Sequence, residues 1–245
     1  KGSLIDETYA AFRVWDLRAT TSQNLGAFKQ TNPIGATSAN WLRDVAFVLS
    51  RRFDPAGRDR PLVELAQAGC DRSVWKPLLL WHMTRDEFLV RDFLVNWLYE
   101  QYAAGAYVLR VEEVLPYLRS LPAKGVTATE AWRESTLKRV AAGLLHLACD
   151  FGLMSGRTAR QFASYHLPDG SFLYLLHALT ESEPNAARMI QSPDWRMYLL
   201  APDDVERELF RLHQYRKVHY EVAGSLAQLR LPCGSAAEYA KELVA

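Results

Sequence analysis

The chain has 245 residues, in which 29 Lys and Arg stand against 28 Asp and Glu, a formal net charge of +1 with His neutral. That balance excludes a protein held to nucleic acid by bulk charge and a disordered polyelectrolyte. Hydrophobic residues make up 49% and charged residues 23%, the proportions of a chain that buries a core, with length for one large or two to three small domains. Cys70, Cys149 and Cys233 are too widely spaced for a disulfide framework or paired metal ligands, so a reducing compartment, the cytoplasm, is expected. No stretch approaches the roughly 18 to 20 uninterrupted apolar residues of a membrane span. The greasiest run, VWKPLLLWHM at 74–83, carries Lys76, Pro77 and His82, and the first residues show no secretory apolar region.

In chain order, Leu4, Ile5, Tyr9, Phe12 and Leu17 suggest a helix over 4–17, and a short one over 22–30 ends before Asn32-Pro33. Leu42, Val45, Ala46, Leu49 and Phe53 fall on one helical stripe that Thr37 or Ser38 can cap. RRFDPAGRDRP at 51–61 has the composition of a surface loop. PLVELAQAG and RDEFLVRDFLVNWLYEQYAAG follow as helices, the second closed by Gly105, and AYVLR at 106–110 is a short extended candidate. VEEVLPYLRSL is helical despite Pro116, and PAKGVTATE at 122–130 is a loop. The clearest helix is ESTLKRVAAGLLHLACDFG at 134–152, with Ser135 a candidate N-cap and Gly152 a C-cap. Turn signals at 155–167 predict a β-hairpin. Then come helices in SFLYLLHALTE, NAARMIQ and PDDVERELFRLHQ, a second hairpin around Ala223-Gly224 within 217–231, and a closing helix in AAEYAKELVA.

Helices followed by a hairpin occur twice, which is the order of a winged helix-turn-helix unit. The expected fold is therefore mainly α: helical domains of winged helix-turn-helix type with short β-hairpins. The expected domains are an N-terminal helical, helix-turn-helix-like domain over 1–75, a central winged-helix-like domain over 76–167 and a C-terminal one over 168–245. In such a unit the last helix can enter the major groove while the hairpin touches a neighbouring groove or phosphates. With Leu137, Val140, Ala141, Leu144, Ala148 and Phe151 turned inward, the outer arc of 137–151 holds Lys138, Arg139, Ala142, His146 and Cys149, and the hairpin adds Arg157 and Arg160. Cations in a first helical turn reach phosphates or base edges, and the helix dipole favours an anion there. The same arc also suits an ordinary solvated face.

The later helix opens on Asp203, Asp204, Glu206 and Glu208, which would repel phosphates, so a charged surface helix is favoured there although Arg207, Arg211, Arg216 and Lys217 lie farther on. The outer arc of the third helix holds Asn40, Arg43, Phe47 and Arg51, a possible partner or DNA surface, with Phe47 expected to be buried against a neighbour. The seven Trp read as core or interface anchors, with Trp132 and Trp195 pinning helix entries.

No catalytic signature is present: no HExxH, CxxC or GxSxG, and the six His do not pair at ligand spacing, so neither enzyme, metal nor small-molecule cofactor is expected. GLMSGRT at 152–158 is superficially similar to a phosphate loop, but its Gly spacing is one short, Arg157 replaces the Lys, and a helix precedes it. His82 and His177, among Leu and Trp, read as partly buried imidazoles with a local acceptor.

The order of phrases, from KGSLIDETYAAF through ATSANWLRDVAFVLSRRF and KPLLLWHMTRDEFLVRDFLVNWLYEQYAAG to WRESTLKRVAAGLLHLACDFGLMSG, resembles the BrxA family of bacteriophage-exclusion (BREX) defence systems. The patterns LLLWH with RDFL, and W.EST.KR followed by GL.SG, carry the resemblance. It implies a non-enzymatic accessory component acting beside other BREX proteins, a binder of double-stranded DNA, with relatives likened to a helical RNA-binding antitermination protein. It supplies no catalytic residues. The inner-membrane label of some members conflicts with the lack of a spanning segment.

Two further functional classes stay open beside DNA binding through Lys138, Arg139, His146, Arg157, Arg160, Arg43 and Arg51. One is a scaffold docking defence proteins through Trp-rich and acidic C-terminal surfaces. The other is structured-RNA binding. Net neutrality hides an uneven distribution, with acids at 112–113 and 203–208 and bases at 51–60, 138–139 and 157–160.

Overall fold

The stripe read in the third helix is buried: Leu42, Val45, Ala46, Leu49 and Phe53 all lie in the core, and Ser38 caps the helix by accepting from the Trp41 N–H. The computed structural model describes residues 2–126, 132–224 and 226–244. It is mainly helical, with two small antiparallel sheets. The PAKGVTATE loop lies outside the described residues over 127–130; Pro122–Lys124 before it is a 3-10 turn.

Helix α1 (Ile5–Arg13) is shorter than expected, stopping before Trp15, and α2 (Thr21–Thr31) opens on a capping box between Thr20 and Gln23. After α3 (Ala39–Arg52) the segment expected as a surface loop is anchored instead: Arg52 and Asp59 are buried, Arg52 Nε pairs with Glu87 at 3.0 Å, and Asp59 accepts the Asp54 N–H. Helix α4 (Arg60–Gln67) has Pro61 in its first turn. The apolar run at 74–83 forms α5 (Arg72–Thr84), started by Asp71. Past its polar first turn α5 is a buried helix; Trp75 and Leu78 to Met83 are all in the core.

The RDEFLV segment continues as α6 (Phe88–Asp92), a π-helical stretch (Phe93–Leu98) and α7 (Tyr99–Ala103), which ends at Gly105 in the left-handed region. Then come β1 (Val108–Leu109), α8 (Val111–Ser120), α9 (Glu134–Asp150), β2 (Met154–Ser155) and β3 (Arg160–Phe162). The chain closes with α10 (Asp169–Ser182), α11 (Ala186–Ile190), α12 (Pro202–Gln214), the hairpin β4 (His219–Ala223) and β5 (Leu226–Arg230), and α13 (Ala236–Glu242).

The chain divides into two units rather than the three consecutive segments 1–75, 76–167 and 168–245. One unit is residues 88–166 with short pieces at 196–199 and the N-terminus; the other is 4–87, 167–195 and 200 onward. The second is discontinuous because its two ends fold on each other: α4 packs against both α1 and α13, and α5 against α10. Helix periodicity does not encode such pairings, since an apolar stripe shows that a helix is covered and not by what.

Candidate nucleic-acid interface

In the unit built around residues 88–166, α8 packs on α9. Leu137, Ala141, Leu144, Leu145, Leu147, Ala148 and Phe151 are buried, each large apolar side chain contributing roughly 1.5–3 kcal/mol. Val140, expected inward, is only half-buried, while Leu145 and Leu147 widen the buried stripe. The N-cap is Arg133 rather than Ser135, and no side chain caps the first turn of α9. Gly152, at φ 82°, ends the helix as expected and turns the chain into β2.

The three short strands form one antiparallel sheet in the order β1-β3-β2. The β2–β3 connection, residues 156–159, depends on Gly156 at φ 103°, where a Cβ would collide with the Ala159 carbonyl oxygen. Arg157 and Thr158 are exposed at this tip. Among the described residues no carboxylate pairs with Lys138, Arg139 or Arg157, and all three are exposed. Glu134, the acid at the start of α9, is engaged by Arg119 at 2.8 Å. The N-terminal half of the outer face is therefore positive, while His146 at its far end lies 3.6 Å from Asp150.

Arg160 departs from expectation. It is 8% exposed and its Nε has no hydrogen-bond partner among the described residues. It sits beside Cys149, whose thiol burial pushes up while the Arg160 charge acts the other way. Arg160 is a support of the hairpin and not part of its outer face.

Arg43 and Arg51 belong to the other unit, on α3. Arg43 bonds Asn40, and Arg51 pairs with Glu87 at 3.3 Å. The basic run at 51–60 is largely cancelled in this way, since Arg52 also meets Glu87, Arg58 meets Asp86 and Arg60 meets Glu64. Phe47, expected to be buried, is 63% exposed with the Arg51 guanidinium 5.9 Å from its ring centre. Among the seven Trp, Trp15, Trp75, Trp81 and Trp195 are in the core, and Trp41, Trp97 and Trp132 are half-buried. On α12 the acids have internal duties: Asp204 accepts the Ala201 N–H and meets Arg207, Glu206 accepts the Tyr220 hydroxyl, and Glu208 pairs with Arg211. Arg211 and Lys217 both hold Asp169; against the effect of its burial, these bonds keep its carboxyl below the ordinary range.

Sequence reasoning missed two residues of the first unit. Arg110, exposed, follows β1, and the register pairing Leu109 with Arg160 carries it level with the hairpin tip. Gly143 is exposed in the middle of α9 next to Ala142, with open space where its Cβ would be. A mid-helix Gly with no packing reason was the available signal. Among the described residues no helix is long and apolar enough to cross a membrane, and no group of three His, Cys, Asp or Glu is placed to hold a metal.

The BrxA family model matches residues 1–178, a span that includes α9 and its hairpin. No curated protein and no solved structure matches the chain.

Proposed function

Because the chain belongs to the BrxA family, components of BREX antiphage defence, we propose that it is a non-enzymatic, cytoplasmic member of such a system. In this reading it binds double-stranded DNA through the outer face of α9 and the tip of the β2–β3 hairpin. The observation that carries the reading is the concentration of exposed cations without carboxylate partners, Lys138, Arg139 and Arg157, in one unit of an otherwise neutral chain.

The element order supports it. Helix, β1, α8, α9, β2, β3, with β3 central in the sheet, is the order of a winged helix-turn-helix unit, in which the last helix serves as the recognition helix. The small Ala142 and Gly143 let a phosphate backbone approach α9 closely, and the uncapped amides of its first turn favour an anion. Arg110 at the tip adds a further cation.

Fluorescence anisotropy of a labelled duplex, competed with unlabelled duplex or a structured RNA hairpin, tests the reading. The duplex is expected to displace the probe more strongly; RNA displacing it equally or better would overturn duplex specificity. A second reading, docking of other BREX proteins, rests on the exposed Phe47 beside Arg51. Co-purification with partners that survives about 0.5 M salt without any duplex binding would favour it, because apolar contacts are little screened.

A further inference from the structure

Within the second unit, a cavity of about 720 Å³ opens between α4, α5, α10 and α13, in the size range of small-molecule sites. Three buried polar groups, Asp59, His82 and Tyr174, form a hydrogen-bonded chain of which His82 and Tyr174 line the cavity. His82 Nδ1 is 2.7 Å from Asp59 Oδ1, and His82 Nε2 is 2.9 Å from the Tyr174 hydroxyl; the three residues are at most 1% exposed. The Asp59 carboxylate accepts a hydrogen bond from Nδ1–H of the neutral imidazole, so Nε2 accepts and the Tyr174 O–H donates to it. Tyr174 lines the cavity with its proton already committed, which leaves its oxygen an acceptor.

The rim is cationic. Arg85 is stacked with its guanidinium 4.7 Å from the Trp81 ring centre, and the Trp81 indole N–H is fixed on Asp194 at 2.7 Å. Lys241 stands on the α13 side. Among the described residues no carboxylate pairs with Arg85 or Lys241. The carboxylates that line the cavity are already engaged: Glu64 by Arg60 at 2.7 Å, and Glu181 by the Ala236 N–H at 2.7 Å. Pro61, Ala178 and Ala236 supply apolar wall.

We infer that this cavity binds a small organic phosphate of nucleotide size, its phosphate held by Arg85 and Lys241 and a hydroxyl or amino group donating to the Tyr174 oxygen. Guanidinium and ammonium groups are the usual phosphate partners. A cavity of this size excludes a duplex, so duplex DNA is not its ligand.

The test is thermal-shift and calorimetric titration of the full chain with AMP, adenosine and inorganic phosphate. AMP is expected to raise Tm in a saturable way, inorganic phosphate to act more weakly and adenosine to have no effect. Arg85→Met and Lys241→Met, both at exposed positions, should each weaken AMP binding about tenfold or more. Tyr174→Phe should weaken AMP but not inorganic phosphate. Reversing α9 with Lys138→Glu and Arg139→Glu should leave AMP binding unchanged. No response to millimolar AMP, equal binding by the Arg85 and Lys241 variants, or displacement of AMP by duplex DNA would each overturn the assignment.

Discussion

Leu109 of β1 stands directly opposite Arg160 of β3, and Leu109 is 2% exposed. Cross-strand partners share a face of a sheet, so the register turns Arg160 toward the core. Its neighbour Gln161 is exposed. A buried guanidinium with an unpartnered Nε gives little stability that an apolar chain of similar length would not. Arg160→Met is therefore expected to hold folding stability within about 1 kcal/mol and to leave the salt dependence of DNA binding unchanged. Arg157→Met should reduce the slope of log K against log salt by about 0.9, one phosphate contact. Denaturant melts and anisotropy at several salt concentrations separate the two; a reduced slope for Arg160→Met at native stability would return it to the interface.

Two glycines of the same unit should respond in opposite directions. Gly143→Ala places a methyl in open space on an exposed helix and should stabilise by roughly 0.5–1 kcal/mol. Gly156→Ala meets the Ala159 carbonyl at a positive φ and should destabilise by about 1–3 kcal/mol. If α9 approaches a phosphate backbone, Gly143→Gln should weaken duplex binding without lowering its Tm.

Burial holds the His82 imidazole below its ordinary pKa, outweighing the opposing bond to Asp59, and the Arg85 and Arg58 charges act with burial. The unfolded state, with a His pKa of about 6.5, then binds more protons below that pH. The stability from neutral His82 is fully present above about pH 6.5 and falls as the pH drops below it. His177 behaves alike: burial lowers its pKa, its Nδ1–H donates to the Leu173 carbonyl at 2.7 Å, and its Nε2 accepts the Cys233 N–H. Unfolding free energy should decline from pH 7.5 to 5.5, and His82→Asn, though less stable overall, should show a shallower decline. An unchanged slope in that variant would remove His82 from the account.

The long helices were legible because their apolar spacing survives in the sequence: the stripe of α3 and the terminating Gly105 and Gly152 stand where the sequence put them, and the stripe of α9 does so apart from the half-buried Val140. The strands were legible only as places. With two or three residues each, β2 and β3 have no alternation to read, so which of Arg157 and Arg160 points outward depends on pairing with β1, whose partners lie 51 and 53 residues away in sequence. Asp59 looked like one charge in a polar loop; its burial comes from His82, brought by α5. Phe47 looked like core because aromatic residues usually are. The Asp59–His82–Tyr174 line spans three elements and has no local signature at all.

The most direct test of the central claim is duplex affinity measured across salt for the wild type and for Lys138→Glu with Arg139→Glu. The account predicts a folded variant with native Tm, at least tenfold weaker binding, and a slope reduced by about two phosphate contacts, near 1.8 in log units. Wild-type affinity and slope retained in the well-folded double variant would contradict it.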